Sequence, residues 1–221
     1  MGLEDAQTHV KLGVGQLATV VDAQERAVIL DLERDAVIRA GSQIFDTTIG
    51  ERTVVWASVL EGSTVDADVT IGPFSHVRKG AYIGPNVELG NYAEVKNSNI
   101  GAGTKSHHFS YLGDADVGEK VNIGAGSITA NYDGKAKHRT RIGKGAFIGS
   151  DTIMRAPVTV GEGAFTGAAS LVTRDVPDGK MALGVPARIR TRKSKTDANA
   201  ATEGDIPTAE PDLASDEEAQ R

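Results

Sequence analysis

The chain has 221 residues and a formal net charge of −6, with 26 glycines, no cysteine and ten aromatic residues (five Phe, four Tyr, one Trp). Without cysteine there is no disulfide scaffold, no Cys-ligated zinc and no thiol nucleophile. No run of about 18 apolar residues is present to span a membrane, and the acidic balance disfavours a nucleic-acid partner. Many glycines beside few aromatics favour a turn-rich, repetitive β architecture over a helical bundle. The first residues, Met1-Gly2-Leu3-Glu4-Asp5, lack the basic region and apolar stretch of a secretory signal, so a cytoplasmic location is expected.

Residues 1–48 read as a lead-in of mixed structure. The apolar residues between Gln16 and Val37 fit neither a helical nor a strand period. From about Ile49 the chain turns repetitive. Aliphatic residues recur every six positions, usually before glycine: Ile71-Gly72, Val77, Ile83-Gly84, Leu89-Gly90 and Val95, then, after one five-residue step, Ile100-Gly101. The series continues through Leu112-Gly113, Val117-Gly118, Ile123-Gly124, Ile142-Gly143, Ile148-Gly149, Met154, Val160-Gly161 and Val172, with shortened steps near Val55–Val65. This is the hexapeptide signature of a parallel β-helix, in which three short strands close a triangular coil and the aliphatic residue points into the prism. An antiparallel sandwich would show period-two alternation and hairpin turns instead. The solenoid is expected over residues 49–190.

One segment breaks the period. Residues 129–141 are expected to project as a loop, and they hold Lys135, Lys137, His138, Arg139 and Arg141 against Asp133 alone. Solenoid insertions commonly form the binding face, and this one points to an anionic ligand. Residues 191–221 carry eight acids against four bases, −4 of the total −6, with little to bury. They are expected to form a disordered acidic tail.

Five histidines are present: His9, His76, His107, His108 and His138. Alternation along a strand would let only one of the His107-His108 pair face outward, and that one could act as a general base near Tyr111. No metal site is expected. With no Ser-His-Asp order and no cysteine, group transfer would be direct, with both substrates bound together.

Several stretches resemble a known family: Gly72-Pro73-Phe74-Ser75-His76-Val77-Arg78, Gly90-Asn91-Tyr92-Ala93-Glu94-Val95-Lys96, His108-Phe109-Ser110-Tyr111-Leu112-Gly113-Asp114-Ala115, Val121-Asn122-Ile123-Gly124-Ala125-Gly126, Asn131-Tyr132-Asp133-Gly134, Gly149-Ser150-Asp151-Thr152 and Ala156-Pro157-Val158-Thr159-Val160-Gly161. They are similar to the C-terminal acetyltransferase domain of the bacterial bifunctional glucosamine-1-phosphate N-acetyltransferase/N-acetylglucosamine-1-phosphate uridyltransferase. The likeness covers residues 49–175 well. It implies a left-handed β-helix, a homotrimer with the site between subunits, and acetylation of glucosamine 1-phosphate by acetyl-CoA on the way to UDP-N-acetylglucosamine.

Carried onto this chain, the resemblance makes His108 the base that deprotonates the sugar amine. Arg78, Lys96 and Lys137 would surround the sugar phosphate, Tyr111 and Asn122 would hydrogen-bond the sugar, and Asn131 would sit beside the amine and thioester. Ala125, Asn131, Tyr132, Ser150 and Ala168 would border the acetyl-CoA groove. The family's Gly-rich nucleotide loop is missing and 48 residues are too few for its first domain, so uridyl transfer is not expected of these residues: the chain is either a stand-alone acetyltransferase, with a separate uridyltransferase as a candidate partner, or a piece of something larger. The family's arginine at the CoA phosphates falls near Gly184-Val185, where Arg188 or Arg190 would have to substitute. Another acceptor, a nucleotide-linked amino sugar, and a non-catalytic sugar-phosphate-binding solenoid remain open alternatives.

Overall fold

The computed structural model describes residues 34–191 and the backbone of 16–21 and 27–32; the acidic tail expected beyond Thr191 lies outside the described residues. The described residues are all β. Short strands stack in parallel into three faces of ten, nine and eight strands, each strand pairing with its counterpart one coil away. Two antiparallel pairs close the faces: Gln16–Val21 with Ala27–Leu32, and Lys180–Leu183 with Arg188–Thr191. No helix of the described residues is long and apolar enough to cross a membrane.

The six-residue period is the core. Ile49, Val55, Leu60, Val65, Ile71, Val77, Ile83, Leu89, Val95 and Ile100 are all 0–1% exposed, as are Leu112, Ile148, Met154 and Val160. Each buried Leu or Ile contributes about 1.5–3 kcal/mol, and together they fill the prism. The three gaps in the aliphatic series are occupied by hydroxyls in the same register. Ser106 bonds Ser110 (2.8 Å), Thr129 donates to the Gly113 carbonyl (2.9 Å), and Thr166 meets Thr152 (2.9 Å), so each buried oxygen is satisfied.

Parallel stacking begins before residue 49. Val37–Ile38 pairs with Val54–Val55, and Gln43–Phe45 pairs with Val59–Glu61. Ile38, Ile44 and Ile49 continue the inward register in steps of six and five, which a strict period of six does not reveal. The interruption is also narrower than its sequence limits. Ile128–Ala130 and Thr140–Ile142 are strands of the solenoid, leaving 131–139 to project.

Corners repeat as regularly as strands. One corner carries left-handed backbone at Asp46, Gly62, Gly80, Asn97 and Asp114 in successive coils. Short Asx side chains suit such positions because they hydrogen-bond locally where other residues are strained.

Candidate active site

A groove of about 490 Å³ opens on the ten-strand face, and His108, Asn122, Ala125, Ser150 and Ala168 all line it. Ala125, Ser150 and Ala168 follow the strands Asn122–Ile123, Phe147–Ile148 and Phe165–Thr166, so three consecutive coils present small residues along one channel. Within its lining, Asn122, Phe147 and Phe165 are successive register partners, and the column continues to Met181, which pairs with Arg190. The Phe147 and Phe165 rings stack with centroids 4.7 Å apart. The result is one outward column, polar at Asn122, aromatic in the middle and cationic at Arg190.

His107 and His108 occupy the turn between Lys105–Ser106 and Ser110–Gly113 rather than a strand, so both are exposed and face alternation does not apply to them. Their ring nitrogens have different surroundings. His107 Nε2 meets Glu88 Oε2 at 2.7 Å, while Lys105 meets the other Glu88 oxygen at 2.7 Å. These two partners, Lys105 first, hold the Glu88 carboxyl below the usual carboxylate range. His108 has no hydrogen-bond partner among the described residues and faces the groove. His76 is tied to Glu61 at 3.1 Å.

The eight-strand face carries the second group. Its outward columns place Arg78 beside Lys96 and Lys96 beside Gly113, with Tyr111 next to Glu94 in the adjacent column. Gly113 explains the lie of Tyr111: a Cβ there would fall 2.3 Å from the phenol oxygen, so the ring lies across the space that glycine leaves. Arg78 donates to Glu94 (2.8 Å) and has Glu61 at 3.8 Å; the Glu94 bond is the main reason its guanidinium is held above the ordinary value. Lys96 has no carboxylate partner among the described residues.

Asn131 extends the Asx corner by one more coil. Asn97, Asp114 and Asn131 lie 17 residues apart in succession, and the Asp114 carboxylate accepts from both amides (2.5 Å each). Asp114 and Asn131 are both buried, and the second Asn131 amide hydrogen points toward the Tyr111 oxygen at 3.5 Å.

The projecting loop uses much of its own charge. Asp133 accepts from the Lys135 and Ala136 amides (2.8 Å each) and from His138 (2.6 Å), which together hold its carboxyl far below the usual range. Arg139 grips Asp116 through two bonds of 2.8 and 2.7 Å, which lowers Asp116 and raises Arg139. Tyr132 bridges Lys137 across the loop, and both remain exposed.

The sequence-predicted residues therefore fall into two groups, with Tyr132 and Lys137 apart on the projecting loop. His108, Asn122, Ala125, Ser150 and Ala168 share the groove; Arg78, Lys96, Tyr111 and Asn131 share the eight-strand face and its corner. Asn122, expected to hydrogen-bond the sugar as Tyr111 does, lines the groove. His108 precedes the strand Ser110–Gly113 and Asn131 stacks past its end, so the width of the face, about 20 Å at 3.3 Å per residue, separates them within one chain. Sequence reading missed Phe147, Phe165, Gly113 and Asp114 as site residues. Phe147 and Phe165 could have been found as two aromatics at one register position.

Residues 62–97 match the family described as bacterial transferase hexapeptide (six repeats). The bifunctional protein GlmU of Synechococcus sp. (strain CC9605) is 48% identical over 169 residues, 75% of this chain and 37% of that protein. In a chain of 221 residues, a stretch of that length necessarily contains the segment from His76 to Ser150. The chain carries a hexapeptide-repeat segment and is similar to part of GlmU. The GlmU of Paracoccus denitrificans (strain Pd 1222) is 57% identical over 125 residues, 57% of this chain and 28% of that protein. The chain thus spans about a third of the length of the curated GlmU relatives that it matches. Among solved structures, LpxA from Acinetobacter baumannii has a TM-score of 0.52 at 20% identity, covering 73% of this chain and 71% of that one, a likeness of fold alone.

Proposed function

We propose that the chain transfers the acetyl group of acetyl-CoA to the amino group of glucosamine 1-phosphate. The observation that carries this reading is His108, an exposed imidazole with no hydrogen-bond partner among the described residues, at the wall of a groove that continues into an aromatic column. The similarity to GlmU across the segment that holds these residues supports the choice of acceptor and donor.

In this reading the pantetheine arm lies along Ala125, Ser150 and Ala168 beside the stacked Phe147 and Phe165. Four register steps of about 4.8 Å separate Asn122 from Arg190, so Arg190 stands roughly 19 Å along the column as the cation nearest the CoA phosphates. His108 takes a proton from the substrate ammonium. The amine lone pair then forms the C–N bond at the thioester carbonyl, the C–S bond breaks, and the departing thiolate receives the proton that the nitrogen sheds as it becomes the amide. Arg78, Lys96 and Lys137 hold the phosphate, with Lys96 and Lys137 contributing cations that no carboxylate of the described residues neutralises. Tyr132 borders the thioester end.

His108 and Asn131 cannot both reach one amine across the width of a face. A second copy of the chain, as in a trimer, brings the His108 groove of one against the Asn131 corner of the next. The test of acceptor identity is mass analysis of products from glucosamine 1-phosphate, glucosamine 6-phosphate and UDP-glucosamine offered together with acetyl-CoA. Acetylation of the 1-phosphate is expected to dominate. Preferential acetylation of UDP-glucosamine would reassign the acceptor.

A further inference from the structure

We infer that Asp114 is a positioning residue that fixes which end of the Asn131 carboxamide faces the reacting amine; this rests on the functional reading above. Asp114 sits at a left-handed corner position (φ 48°), buried between two amides of the same Asx ladder. An ionised carboxylate only accepts hydrogen bonds. Whatever faces it must therefore be a donor, and both neighbours comply: Asn97 Nδ2 meets Oδ1 and Asn131 Nδ2 meets Oδ2.

The consequence lies on the far side of Asn131. One of its amide hydrogens is held by Asp114 and the other points toward the Tyr111 oxygen. Its Oδ1 is the end left over. Asn131 thus offers the substrate an acceptor, suited to an amine N–H, and not a donor for a developing oxyanion. Oxyanion stabilisation must come from another group, and backbone N–H groups of the groove are the available chemistry. Holding the amine through an N–H···Oδ1 bond directs its lone pair once His108 has removed the extra proton.

Placing a carboxylate in the middle of the ladder makes the orientation unambiguous. An amide at position 114 would present an oxygen to one neighbour and an NH2 to the other. Asn131 or Asn97 would then have to turn over, with no change in volume. Asp114→Asn separates orientation from packing for this reason.

The experiment measures steady-state kinetics of wild type, D114N, N131A and D114N/N131A, with acetyl-CoA and glucosamine 1-phosphate varied separately. D114N is expected to lower kcat about 10- to 100-fold, the size of effect that misorientation produces, with KM for acetyl-CoA unchanged. In the N131A background the same substitution should change kcat by less than about twofold, because its effect passes through Asn131. An equal loss in both backgrounds, or wild-type kcat in D114N, overturns the assignment. Absence of acetyl transfer by the wild type overturns the functional reading instead. The Asn131 side-chain amide resonance then decides positioning by itself: slow exchange in wild type that is lost in D114N supports it, and exchange unaffected by D114N overturns it.

Discussion

His108 and Asn131 stand at opposite edges of one parallel face, on either side of the strand Ser110–Gly113 and its neighbours. A site that uses both must be assembled from two chains. Separately purified H108A and N131A are therefore expected to retain only a small residual activity, and mixtures refolded together are expected to recover far more. If each site draws His108 from one chain and Asn131 from the next, random one-to-one mixing yields about a quarter of the wild-type activity per chain. Assay of the refolded mixture checks this. No recovery, with assembly demonstrated, would mean that both residues act within one chain.

The Tyr111 ring depends on an atom that is missing. Gly113→Ala would put a methyl group 2.3 Å from the Tyr111 oxygen and displace the ring from the sheet. The substitution is expected to raise KM for the sugar phosphate about tenfold, equivalent to about 1.4 kcal/mol, and to leave KM for acetyl-CoA unchanged. Kinetics with each substrate varied in turn separate the two.

Thr129 occupies a core position that the aliphatic period leaves empty, and it both receives the Gly113 N–H (2.8 Å) and donates to the Gly113 carbonyl (2.9 Å). Thr129→Val keeps the volume and removes both bonds. Leaving a buried backbone N–H unpaired is expected to destabilise the fold by about 1–3 kcal/mol, read from the midpoint of denaturant unfolding.

The loop carries its own pH signature. Asp133 is held below its ordinary range by the Ala136 amide first, then His138, then the Lys135 amide. A depressed carboxylate stabilises the folded loop above its unfolded pKa of about 4 and loses that effect only as the pH falls through the lower folded value. Protection of the Lys135 and Ala136 amides, corrected for intrinsic exchange, should therefore stay constant from neutral pH down to about 4. Asp133→Asn should lower that protection at neutral pH. Hydrogen exchange followed by NMR tests both expectations.

The solenoid was legible because burial of one aliphatic residue per strand is a local, periodic demand. What the period concealed were places where a hydroxyl met the same demand: Ser106, Thr129 and Thr166 read as gaps but pack as core residues. The earliest coils were hidden by the alternation of five- and six-residue steps at Ile38, Ile44 and Ile49. The charged loop looked like a free cationic cluster, yet Arg139 is spent on Asp116 and His138 on Asp133, a pairing set by three-dimensional stacking. Asp114 carries no sequence mark of its role. Only the 17-residue spacing from Asn97 and to Asn131, seen once the coils are stacked, gives it one.

The central claim is acetyl transfer with His108 as the base, and thiol release from acetyl-CoA tests it directly. The chain has no cysteine, so a thiol reagent reports only the CoA that is freed. Release that depends on glucosamine 1-phosphate and falls about 100-fold or more in H108A is the predicted result, within the range expected for loss of a general base. Wild-type release by H108A would remove His108 from the mechanism, and no release by the wild type with any amino sugar would contradict the account as a whole.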